Sequence, residues 1–320
     1  MHATSKPPFE EFYCTARELP IYVILGVQGS GTNLLRSILA DAFNFSVVQD
    51  QSLVFEAAIK AGSRPSPEAV RRLFAALRER AVPSMITRKT RRRLKTNGSF
   101  AGLEDHFDSA IINSGTDLAY FMYAYSAYSL GTTLMAIKSD DLWQSIQHMD
   151  AVLPNRRVVL LTRDFRDNLL SITKKQFGPI HPLVSAEYVR RRFAVYAAEY
   201  RRTPAPHRLH VRYEDLLECP DKVIAALREQ FQLGGRSDAA PPVDHGRIRR
   251  NNRRKWASLS PRQLALCEAV LRDELQAWGY GTECQPVPPP GPAAWLMARG
   301  RDAAQRVPQK LQNFAHRLQK

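Results

Sequence analysis

At 320 residues, 44% of them hydrophobic, the chain is long enough to bury a sizeable core and too apolar for wholesale disorder. Lys and Arg number 46 against 31 Asp and Glu, a net charge of +15, which calls for polyanionic partners: nucleic acid, anionic lipid or a ligand with several phosphates. The cysteines Cys14, Cys219, Cys267 and Cys284 are scattered with no CxxC pair, against a disulfide framework or zinc site and in favour of a reducing compartment.

The N-terminus MHATSKPPFEEF has no apolar stretch of the kind that marks a signal peptide. No run approaches the ~20 apolar residues of a membrane span. The expectation is a soluble, cytoplasmic protein whose basic tail offers the one peripheral membrane contact.

After a polar lead-in over residues 1–20, IYVIL (21–25) is a β-branched apolar run bounded by Gly26 and predicts a buried parallel strand. A glycine-rich loop follows. In TNLLRSILADAF (32–43) the apolar residues recur at helical spacing, completing a strand–loop–helix unit. PSPEAVRRLFAALRERA (65–81) predicts a helix opened by prolines, and the basic stretch after it reads as loop. TDLAYFMYAYSAYSL (116–130) predicts a largely buried helix whose tyrosines are core and rim residues rather than a stacking platform.

TLMAIK (133–138) and RRVVLLTR (156–163) predict two more core strands, the second running into a helix at 167–175. Helices at 185–201 and 220–231 flank RLHVRYEDL (208–216), whose first half is strand-like. SPRQLALCEAVLRDELQAWGY (260–280) is a marked helix with Ser260 as N-cap, Pro261 at its first position and Gly279 as its stop. PVPPPGP (286–292) reads as a stiff linker closing a domain over 21–285, and the tail to 320 as one or two short basic amphipathic helices. Strands alternating with helices give an α/β fold, a three-layer sandwich on a mainly parallel central sheet. There is no internal repeat and no nucleic-acid module, so nucleic acid is not an expected partner.

GVQGSGTN (26–33) carries the strongest chemical signal. A glycine-rich turn between a strand and a helix aims backbone N–H groups at one spot, beside the positive end of the helix dipole, and makes an anion site. A plain tight turn is the alternative, disfavoured by the buried strand before it and the amphipathic helix after it. A triphosphate-binding loop reads GxxxxGK[ST]. Gly26 and Gly31 have that spacing, but Thr32 and Asn33 stand where the Lys and Ser/Thr belong. The loop therefore suits a phosphate-bearing donor that needs no magnesium.

GVQGSGTNLLRSIL resembles the 5′-phosphosulfate loop of the sulfotransferases, GxP[KR]SGT[TN]xL, with Ser30, Gly31, Thr32 and Asn33 matching. Gln28 and Gly29 depart from it, standing where the family has Pro and a basic residue. VVLLTRDFRDNLLSI (158–172) is similar to the family's 3′-phosphate element, which implies that Arg163 and Ser171 contact that phosphate. By itself RDxRD would read as a surface ion-pair cluster.

Three further segments follow in the family's order. AIKSDDL (136–142) places Lys138 as the central lysine, able to cover for the missing one at Gly29. VRYEDL (211–216) places Tyr213 near the adenine. RRNNRRKW (249–256), lacking the family's glycines, assigns Arg249 and Arg250 to the 3′-phosphate and Trp256 to the closing segment. The resemblance implies a P-loop-nucleotide-hydrolase-like fold and sulfuryl transfer from 3′-phosphoadenosine 5′-phosphosulfate (PAPS), without metal, to a hydroxyl or amine of a glycan, glycolipid or small molecule.

For the base that the acceptor requires, the family's two arrangements point to Asp50, with Glu56 close behind, and to Asp140, in that order. Asp50 also suits a turn, and Asp140 a helix cap. His106 and His148 are weaker candidates than any of the three. The competing functions are a P-loop small-molecule kinase, which the absent lysine disfavours, and a degenerate fold that binds polyanions.

Overall fold

The computed structural model describes residues 7–49, 52–85, 103–107, 111–138, 141–175, 178–234 and 253–318. Its centre is a sheet of strands β1 (Ile21–Leu25), β2 (Ser46–Gln49), β3 (Met135–Lys138), β4 (Arg156–Thr162) and β5 (Arg208–Arg212), in the spatial order β2-β3-β1-β4-β5. Every pairing is parallel: Ile24 stands level with Lys138 on one side and with Val159 on the other.

All residues of β1 and β3 are buried, as expected when helices cover both faces of a parallel sheet. The two-residue pleat sorts their side chains between two cores. Ile21, Val23 and Leu25 join Phe9, Phe121 and Phe193 on one face, while Tyr22 and Ile24 join Leu35, Leu39 and Phe43 on the other. The three-layer α/β sandwich is thereby the observed architecture.

The α-helices of six residues or more are α1 (Phe9–Ala16), α2 (Thr32–Phe43), α3 (Ser52–Ala61), α4 (Pro67–Met85), α5 (Gly115–Leu130), α6 (Phe165–Thr173), α7 (Pro182–Arg202), α8 (Tyr213–Glu218), α9 (Pro220–Phe231), α10 (Pro261–Ala277) and α11 (Pro292–Leu318) among the described residues. Helix α10 opens with a capping box between Ser260 and Gln263, and α5 is buried along most of its length.

Four segments differ from the sequence-based expectation. The polar lead-in contains α1, whose Phe9, Tyr13 and Ala16 are spaced to share one face and are buried. Phe9 meets the ring of Phe121 at 5.3 Å, and the Tyr13 hydroxyl donates to the Asp117 carbonyl at 3.0 Å. Strand β2 and helix α3 were not legible, because SVVQ is too short to show alternation and SLVFEAAIKA is apolar nearly all round. Pro292, read as linker, occupies the first turn of α11, where its missing N–H costs nothing. The tail reads there as one helix. The basic segment 88–95 lies outside the described residues.

Chain order positions the site. From β1 the chain crosses to β2 at one edge and returns through β3, then passes to β4 on the far side of β1. The carboxyl ends of β3, β1 and β4 therefore open on one crevice at the switch in winding direction, the usual place for a ligand in such sheets.

Candidate active site

The loop leaving β1 turns tightly, the Ser30 N–H donating to the Val27 carbonyl at 3.0 Å. Gly29 and Gly31 sit at φ +88° and +100°, a region that favours glycine. Space is equally restrictive: a Cβ on Gly29 would lie 2.8 Å from Cβ of Ser171, and one on Gly31 2.2 Å from the Tyr213 ring. Gly31 then starts α2 as its N-cap, its carbonyl accepting from the N–H groups of Leu34 and Leu35. Thr32 and Asn33, at the positive end of α2, face the crevice.

The segment RDFRDNLLS at the start of α6 is a buried hub, and the surface ion-pair reading fails. Arg163, 3% exposed, donates from Nη1 to the Gly29 carbonyl at 3.0 Å and to Ser171 Oγ at 3.3 Å. Its Nη2 lies 3.5 Å from Asp167 Oδ2, and its guanidinium stacks 4.6 Å from the Tyr213 ring centre. Asp164 caps α6 at the Arg166 N–H. Arg166 is held by Asp164 and by Glu268 of α10 at 2.6 Å, and lies over the Trp256 ring at 4.5 Å.

Asp167 accepts from the Trp256 N–H at 3.3 Å, and Asn168 Nδ2 donates to the Gln28 carbonyl at 2.8 Å. Burial raises the pKa of the Asp167 carboxyl, with Arg163 opposing it. Gln28 is held from a second side, its Oε1 accepting from the Tyr188 hydroxyl of α7 at 2.8 Å.

These elements enclose a cleft of about 370 Å³ lined by Gly29, Gly31, Thr32, Asn33, Lys138, Arg163, Ser171 and Tyr213, all singled out in the sequence. Lys138, the last residue of β3, is 2% exposed. Ser30 is buried beneath the loop instead of lining the cleft, and its hydroxyl has no hydrogen-bond partner among the described residues. Trp256, which the resemblance assigned to the closing segment, is buried in a short 3-10 turn over Lys255–Ser258. Glu56 is exposed on α3 and does not line the cleft. Asp50, Asp140, Arg249 and Arg250 lie outside the described residues. His106 packs against Phe9 and Tyr125, and His148 lines a separate pocket.

Three cleft residues escaped the sequence reading: Lys174, Lys175 and Lys255. Lys255 Nζ reaches Ser171 Oγ at 3.5 Å. Its pKa is lowered by burial first and then by the charge of Arg163, with Lys174 and Lys175 adding to it. A sequence signal existed for each. Lys174 and Lys175 follow Ser171 at three and four residues, and Lys255 directly precedes Trp256. Five basic side chains thus face a cleft whose described lining contains no carboxylate, the arrangement expected for a polyanion held at more than one phosphate.

Solved structures that share this fold include two sulfotransferase domains. The sulfotransferase domain of the Synechococcus PCC 7002 olefin synthase is 18% identical, with a TM-score of 0.53 over 82% of this chain and 95% of that one. The sulfotransferase domain of the curacin biosynthetic pathway is 14% identical, with a TM-score of 0.52 over 82% and 98%. No curated protein matches the chain significantly. The sequence pattern of the sulfotransferase family, however, matches residues 20–236, from the start of β1 through the glycine loop, Lys138, the RDFRD hub and Tyr213. By that match the chain belongs to the sulfotransferase family, whose general activity is sulfuryl transfer.

Proposed function

We propose that this chain moves the sulfuryl group of 3′-phosphoadenosine 5′-phosphosulfate to a hydroxyl or amine of a glycan, glycolipid or small molecule, without a metal. The observation that carries the reading is the convergence on one cleft of the glycine loop with Lys138 and of Ser171 with Arg163 and Lys255. That makes two anion sites a short distance apart, as a nucleotide phosphorylated at both ends of its ribose requires. The cleft also fits the donor because Gly29 and Gly31 leave backbone where any side chain would intrude.

In this reading the loop N–H groups and the positive end of α2 bind the 5′-phosphosulfate. Ser171, Arg163 and Lys255 bind the 3′-phosphate, and Tyr213 borders the adenine. The bound donor supplies an electrophilic sulfur and a phosphate leaving group. The acceptor oxygen or nitrogen forms its bond to sulfur in line with the breaking bond to the bridging oxygen, and the electron pair departs with the phosphate. Lys138 stabilises the charge that grows on that bridging oxygen.

The acceptor's proton goes to a carboxylate, with Asp50 ranked first. What supports Asp50 is that the preceding residue, Gln49, ends β2 in register with Lys138. Asp140 follows Lys138 by two residues and ranks behind it. Glu56 is weakened by its exposure on α3.

The deciding experiment is calorimetry with adenosine 3′,5′-bisphosphate and, separately, ATP with magnesium. Tight bisphosphate binding and weak ATP binding are expected. The reverse order would make the cleft a nucleoside-triphosphate site and remove the donor from the mechanism.

A further inference from the structure

Helix α11 faces the wrong way for a helix that only completes a core. Its inner side is polar in part. Ala298 and Asp302 are buried, and Asp302 Oδ1 accepts from the N–H groups of Ile180 and His181 at 2.6 and 2.9 Å, seating the helix against the start of α7. Its outer side is apolar. Leu296 and Met297 are 75% and 59% exposed and are the large hydrophobic side chains most open to solvent among the described residues.

Gly300, Ala303 and Ala304 are exposed beyond them. In the sequence, Val307, Leu311, Phe314 and Leu318 continue the same three- and four-residue spacing. Arg299 and Arg301, both exposed, border the stripe on its two sides. At 1.5 Å per residue the helix is about 40 Å long, yet no helix among the described residues is apolar enough to cross a membrane.

We propose that α11 is an interfacial helix that lies on an anionic lipid surface, Leu296 and Met297 entering the acyl boundary and the flanking arginines meeting lipid phosphates. Charge decides between this and a second copy of the chain. Residues 292–320 carry six basic side chains and one acidic one, Asp302. That carboxylate is already committed to Ile180, His181 and Arg306. Two copies paired through this face would set arginines against arginines with no acidic counterpart, whereas an anionic bilayer supplies the opposite charge and lets long basic side chains extend to the headgroups.

The test is flotation of the full-length chain with vesicles of phosphatidylcholine alone or with about 30 mol % phosphatidylserine. Binding to the anionic vesicles, weakening as salt rises, is expected. The Leu296→Glu/Met297→Glu variant should partition about tenfold less. Both side chains are exposed, so its melting temperature should be unchanged; should it melt early, Leu296→Ser/Met297→Ser carries the comparison.

Three results would overturn the proposal: no flotation of the wild-type chain, equal binding to neutral vesicles, or an unchanged partition of the folded variant. A concentration-dependent dimer abolished by the same substitutions, without flotation, would assign the face to a second copy instead. The readout is lipid partition, so its failure leaves the proposed transfer reaction untouched.

Discussion

The guanidinium of Arg163 donates to the carbonyl of Gly29 at 3.0 Å. This joins the end of β4 to the loop that leaves β1, and it explains the glycine. Gly29 holds φ +88° with Ser171 packed where its Cβ would be, so the space of a side chain is taken by α6. Most of the family has a basic side chain at this place in the motif. Here the loop is drawn against α6, and the cleft's positive charge comes from Arg163 together with Lys138, Lys174, Lys175 and Lys255.

Arg163→Ala should weaken bisphosphate binding by about 1.5–3 kcal/mol and Ser171→Ala by about 0.5–1.5, the difference between a charged and a neutral hydrogen bond. Arg163→Ala should also lower the melting temperature, because it releases the loop from α6 and leaves Asp167 buried without that partner. Calorimetry and a melting curve separate the two effects. Unchanged affinity in both variants removes the 3′-phosphate site.

Lys138→Ala should abolish turnover while changing bisphosphate affinity by a few-fold at most, because the product nucleotide lacks the sulfuryl group whose departure the lysine assists. Gly29→Arg would put back the basic residue that the family motif carries, but the loop has no room for it. A left-handed backbone and a 2.8 Å approach to Ser171 make the arginine destabilising by about 1–3 kcal/mol. Melting of Gly29→Arg, read beside its bisphosphate affinity, checks this; a variant as stable as wild type would show that the loop yields.

Lys255 should make donor binding sensitive to alkaline pH. Burial and neighbouring cations depress its pKa in the empty cleft, and an arriving phosphate favours the protonated form. Affinity is therefore full below the depressed pKa and falls as pH rises through it. Bisphosphate titrations across that range should show the fall in wild type and not in Lys255→Arg, while Lys255→Ala binds about tenfold more weakly at neutral pH. A flat wild-type profile would remove Lys255 from the phosphate site.

Stability should fall in mild acid because of His210. Burial, and then the charge of Arg212, lower its pKa to about 4, and Nε2 lies 2.8 Å from Thr162 Oγ1. The unfolded chain takes up the proton near 6.5 and the folded chain only near 4. The contribution is thus complete above the higher value and lost as pH falls between the two, on the order of 3 kcal/mol in full. Urea midpoints at pH 7.5 and 4.5 should differ less in His210→Gln than in wild type. An equal difference in both would place the acid sensitivity elsewhere.

Local pattern by itself determined the strand–loop–helix unit at 21–43, the core strands β3 and β4 and the capped helix α10, and it marked the glycine loop as a candidate anion site. In each, the chemistry resides in adjacent residues: β-branched runs, a glycine turn, a serine–proline helix start. Lys138, Arg163, Ser171 and Tyr213 were legible through the segments that resemble the sulfotransferase family, and the sheet order brought them together on one cleft. Tertiary structure decided the rest. The burial of α1 depends on Phe121 and Asp117, more than a hundred residues away. Lys255 was not singled out, because spacing along a basic run does not show which of its side chains reaches Ser171. The glycine at 29 read as a lost cation, and only the fold, by packing Ser171 into the space of its missing side chain, made it a requirement of close backbone approach.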